Sequence, residues 1–151
     1  MLSGILGTGA PATADANLIL QIIMGVALFA GAALARMKKY TAHAVCQSTV
    51  LLINAITIAW LMWPSFRHTV LPRLPRRWHV AYYLWPTIHG LLGACAELLG
   101  IYIAMAASSR LLPKALKFRR WKFWMRLELV LWWFVLLSGV GTYLYWYTSL
   151  L

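Results

Sequence analysis

Four apolar runs, residues 18–35, 42–63, 79–107 and 125–147, leave this chain few ways to fold. The hydrocarbon core of a bilayer is about 30 Å thick, and about 20 apolar residues in a helix cross it. Away from water every backbone N–H and C=O must be satisfied within the chain, so each run has to be helical. The runs account for a composition that is 62% hydrophobic and 11% charged, against about half and a quarter in soluble domains. The predicted fold is all-α, an integral membrane four-helix bundle forming one domain over residues 17–151. A short tail, residues 1–16, precedes it. The tail carries Gly4, Gly7, Gly9 and Pro11. It lacks the basic start of a secretory signal peptide and is expected to be retained. Asn17 is expected to cap the first helix.

The net charge is +11. On a soluble chain this would point to nucleic acid. Here the bases fall between the apolar runs, where topogenic charges sit. That argues against a nucleic-acid partner and for contact with membrane lipids. Ten Lys and Arg lie on the connections after the first and third runs, and four, Arg67, Arg73, Arg76 and Arg77, after the second. The positive-inside rule then predicts a multi-pass protein of the cell (inner) membrane with both termini outside the cytoplasm.

The connection 65–78 holds Pro72 and Pro75, which argue against a continuous helix there. Residues 111–123 mix bases with Leu111, Leu112, Leu116, Phe118 and Trp121, the pattern of a helix lying in the interface. Pro86, one turn into the third run, is expected to kink it. Gly25 and Gly31 are expected to let helices approach closely. Cys46 and Cys95 both fall within apolar runs and read as buried free thiols.

Ionisable groups inside spans are costly and point to function. With about 1.5 Å of rise per residue, His43, Cys46, Cys95, Glu97 and Glu128 are predicted to share one layer near the inner face. Imidazole, thiolate and carboxylate together suit zinc or copper, and carboxylate with imidazole suits a proton relay. The alternative is that Glu97 and Glu128 pair with Arg110, Lys122 or Arg126. His89 lies about 15 Å into its span, near mid-membrane. Asn54 is at similar depth, with Met24 and Ser138 within a turn or two. A neutral His89 suits a haem b ligand, with a second donor from another helix such as Met24 or Asn54. The alternative is a hydrogen bond from His89 to Asn54 or a carbonyl. His43 and His89 differ in depth by about 15 Å, too far for one iron. His68 and His79 read as interfacial. There is no phosphate-binding glycine loop, HExxH or CxxC, and few groups for acid–base catalysis.

Three stretches carry a family resemblance. KYTAH brings His43 to the start of the second run, and AYYLWPTIHGLL places His89 in the third. RLELVLWWFVLLSGVGTYLYW has Trp132 ahead of Ser138-Gly139-Val140 and Tyr143-Leu144. Over residues 18–147 the chain resembles the four-helix membrane family called domain of unknown function 420. That family has a His at the position of Trp121, so one ligand of any shared metal or haem site is missing here. The resemblance implies a respiratory-membrane setting linked to haem-copper oxidase assembly. The sequence therefore reads as a small accessory subunit or assembly factor of a respiratory or other energy-transducing complex, packed against larger subunits and without an activity of its own. A b-type cytochrome using His89 and a metal-handling or proton-relay protein using His43, Cys46, Glu97 and Glu128 are the alternatives.

Overall fold

A computed structural model describes residues 4–107, 113 and 120–148. It is all-helical among these residues, with four helices long and apolar enough to cross a membrane. Helix α1 is Ala12–Arg36 and α2 is Tyr40–Thr57. A π-helical turn, Ile58–Met62, joins α2 to α3, Trp63–Thr69. The short α4, Leu74–Arg77, leads into α5, Ala81–Ala107, and α6 is Trp121–Tyr147. The α1 helix packs on α2 and α6, and α5 packs on the same two, so the four spans form a ring.

Helix α1 begins six residues before the predicted run because the tail is not a separate strand of chain. Pro11 stands at its N-cap, with no side-chain cap. Asn17 therefore lies inside the helix, and the expected cap at Asn17 is corrected. Asp15 takes over as the anchor. It is completely buried and accepts from Leu6 N–H at 2.8 Å and from the Tyr143 hydroxyl of α6. With that proton committed to Asp15, the Thr8 hydroxyl donates to Tyr143 at 2.5 Å. The turn that makes this possible passes through Gly7 and Gly9 at φ +69 and +75, a region L side chains avoid. Residues 4–10 are thus folded onto the bundle.

The α1–α2 reversal uses three residues. Lys38 takes φ +60, Lys38 N–H bonds Ala35 O at 3.1 Å, and Lys39 N–H bonds Leu34 O at 2.9 Å. This is the paired C-terminal closure usually built on glycine.

The second span runs past Trp63 to Thr69, 30 residues in all. At about 1.5 Å each that is about 45 Å, more than the hydrocarbon needs, so α3 carries the chain into the headgroup region. Pro64 removes the N–H that Trp60 O would accept, and the helix widens to a π turn directly before it. The connection is not a continuous helix, as its prolines require: turns at residues 70–73 separate α3 from α4. Pro86 sits within α5 without ending it. It leaves Tyr82 O without a helical donor, and the indole N–H of Trp146 donates there at 3.2 Å. The predicted interfacial helix at 111–123 falls almost wholly outside the described residues, and residues 121–123 open α6.

Packing is tightest where side chains are smallest, as expected where lipid supplies no hydrophobic drive. At mid-bundle Met24, Leu28, Val50, Ala96 and Trp132 form the core. On Gly31 a Cβ would strike the Gln47 amide, and on Gly100 it would come within 2.6 Å of Leu51 and 2.7 Å of Glu128 Oε1.

Candidate functional site

The interior polar groups form a linked set. Gln21 of α1 donates to Asn54 Oδ1 at 3.2 Å, and Asn54 Nδ2–H of α2 donates to Glu97 Oε2 of α5 at 2.8 Å. Glu97 is 7% exposed. Beside it on α6, Glu128 Oε1 accepts from the Trp132 indole N–H at 2.7 Å. Gly100 allows the closeness: it lies one turn beyond Glu97 on α5, and its missing side chain leaves room for Glu128. Each acid keeps one buried oxygen, Glu97 Oε1 and Glu128 Oε2, without a partner. The partners of both acids are uncharged, so the expected pairing with Lys122 or Arg126 is corrected. Arg110 lies outside the described residues. Ionisable side chains inside a span mark this pair as a functional-site candidate.

His89 lies on α5 about two turns before Glu97. Its Nδ1 is 3.0 Å from Ser138 Oγ, and Ser138 Oγ donates to Val135 O at 2.8 Å. A hydroxyl has one proton, so His89 Nδ1–H is the donor to Ser138 and Nε2 holds the lone pair. The ring lies against Gly139, where a Cβ would come within 2.9 Å of Cε1. The partner is therefore Ser138, where the sequence pointed to Asn54 or a carbonyl.

An anchored Nδ1–H and a free Nε2 meet the requirement for a first axial ligand. The second is not assembled. Met24 is packed into the core with Leu28 and Val50, and the Asn54 amide is engaged on both sides by Gln21 and Glu97. His89, Met24 and Asn54 do not fit a haem between them.

The predicted metal layer is separated in the same way. His43 Nδ1–H donates to Gly31 O at 2.8 Å, and the Cys46 thiol donates to Ala27 O at 3.4 Å. Both side chains fasten α2 to α1. Both cysteines are free, but neither is fully buried as expected: Cys46 is half-buried, and Cys95 is exposed and faces out of the bundle. Among the described residues no three His, Cys, Asp or Glu side chains come together as a metal site. His79 is exposed beside Trp78.

A cleft of about 830 Å³ opens between the spans at the end where α1 and α5 begin. Asn17, Gln21, Asn54, His68 and His89 supply its polar points, and Trp60, Trp63, Phe66 and Trp146 much of its wall. Gln21, Trp132 and the Asp15–Tyr143 contact were not anticipated. The spacing of Asn17 and Gln21, one turn apart on an otherwise apolar run, was the available signal for the first. Comparison with protein-family models, curated proteins and solved structures finds no match to this chain.

Replacing Asn54 with Leu removes two partners and strands the Glu97 carboxyl, which should cost about 1–3 kcal/mol. His89→Ala loses one interhelical bond, about 0.6–2 kcal/mol. Thermal unfolding in detergent should rank the Asn54 variant as the less stable. The reverse order would show that the Gln21–Asn54–Glu97 link is not a principal tie.

Proposed function

We propose that this chain is a small multi-pass accessory subunit or assembly factor of an energy-transducing membrane complex, respiratory in type. The observation that carries the reading is the distribution of its large side chains. All four spans turn aromatic or long aliphatic groups outward, including Phe29, Trp60, Leu91 and Phe134, while the core is a five-residue cluster. Such faces suit neighbouring subunits as well as lipid tails. The resemblance in the stretches around His43, His89 and Ser138 supplies the respiratory setting. Extraction in mild detergent and native electrophoresis should find the protein migrating with a larger assembly. Migration as a bare monomer across several detergents would overturn the subunit role.

The charge distribution supports an orientation with both termini outside the cytoplasm. In a background with Cys46 and Cys95 changed to Ser, a cysteine at Thr148 should react with an impermeant thiol reagent added outside. One at Lys38 should not. The opposite pattern would invert the topology.

A second reading, proton relay, has its own support in the carboxyls of Glu97 and Glu128, each with one unpartnered oxygen in a span. Dicyclohexylcarbodiimide, which attacks carboxyls in apolar surroundings, should label this pair. Mass spectrometry should lose the label in Glu97→Gln/Glu128→Gln. An unlabelled wild-type protein would sink the relay reading and leave the subunit reading untouched.

A further inference from the structure

The connection between the second and third spans is basic on the side of the bundle that the charge rule makes the less basic one. Arg67, Arg73, Arg76 and Arg77 are all exposed there. Topology gives no reason for them, and neither do acidic side chains. The chain has three acids. Asp15 is buried against Leu6 and Tyr143, Glu97 is held by Asn54, and Glu128 is held by Trp132. No acidic side chain is left to face the arginines.

The same segment lines the cleft. Leu61, Trp63, Phe66, His68 and Val70 form one wall, and α5 contributes Gly90 opposite. Around a Cβ placed on Gly90 there is nothing within 4 Å, so the α5 side of the cleft is open space. Arg73 Nη1 donates to Thr69 O at 3.2 Å, which keeps its guanidinium over the end of α3. The basic segment thus adjoins the apolar slot along the chain, with His68 and Val70 of the cleft lining lying between Arg67 and Arg73. Trp60, Trp63 and Trp78 are exposed around them, as side chains at headgroup depth are.

We propose that this end of the bundle binds one anionic phospholipid, with its phosphate against the arginines of residues 67–77 and an acyl chain in the cleft toward Gly90. Guanidinium forks match phosphate oxygens in pairs, and basic segments at a membrane surface select acidic lipids. A free phosphate would satisfy the rim but leave the apolar slot unused. A zwitterionic lipid would fill the slot without answering the charge. The proposal stands independently of the subunit and relay readings.

The test uses full-length protein, delipidated in detergent. It is titrated in mixed micelles with dioleoylphosphatidylglycerol or with the matching phosphatidylcholine. Tryptophan fluorescence is the readout, since Trp60, Trp63, Trp132 and Trp146 line the cleft. Phosphatidylglycerol should bind saturably, about tenfold or more tighter than phosphatidylcholine, and Arg76→Gln/Arg77→Gln should lower that preference by about fivefold or more. Gly90→Leu should weaken binding of both lipids by filling the slot, with circular dichroism and gel filtration unchanged. Equal affinity for the two lipids overturns the proposal, as does full binding by the Gly90 variant. Displacement of the lipid by inorganic phosphate would also overturn it, and would mark a free-anion site.

Discussion

Buried polar groups in a span have no water to fall back on, and the interior of this protein is arranged around that constraint. The Gln21–Asn54–Glu97 link ties α1, α2 and α5 through two hydrogen bonds. The hydroxyls of Thr57, Thr87 and Thr142 turn back to carbonyls of their own helices. His43 and Cys46 do the same for carbonyls of the neighbouring helix. Lipid tails are as apolar as leucine, so apolar burial contributes little to holding these helices together. Small residues then decide how closely the backbones approach, and the polar links decide which approach is satisfied. Gly31, Gly100 and Gly139 each stand where a side chain from another helix, or its polar tip, comes nearest.

The four spans were legible because their signal is long and redundant: twenty apolar residues in a row have one solution in a bilayer. Helix ends were less so. Pro11 caps α1 through its carbonyl, which accepts from Ala14 and Asp15 N–H, rather than through a side chain, and nothing in the apolar pattern shows that. Lys38 closes α1 in a conformation that composition would assign to glycine. Depth along each helix was estimated well enough to put His89 and Ser138 near one another. Azimuth was not available. A rise of 1.5 Å per residue places a residue in a layer, but which neighbour it faces depends on rotation about the helix axis and on crossing angle. That is why His43 and Cys46 face α1 carbonyls instead of meeting the two glutamates, and why Asn54 meets Glu97 rather than His89.

The two halves of the bundle differ in consequence. One half is filled by the glutamate pair and the five-residue core, with Gln21, Asn54, Ala96 and Trp132 at its border with the cleft. The other is opened by the lengthened second span and by the side chains that Gly90 and Gly93 lack. Pro86 belongs to this open half, and the freed Tyr82 carbonyl is answered from α6 by Trp146, whose ring stacks on Tyr82 at 4.9 Å. A local break in one helix is thereby converted into a contact between two.

The Asp15–Tyr143 clasp joins residues 128 positions apart. During synthesis Asp15 leaves the ribosome long before its partner exists, and chains are made at about 5–20 residues per second. For several seconds, therefore, an acidic side chain at the start of the first span has no protein donor from the last one, and the ring of helices is open between α1 and α6. The α1–α6 seam therefore closes last, when the fourth span brings Tyr143 to Asp15.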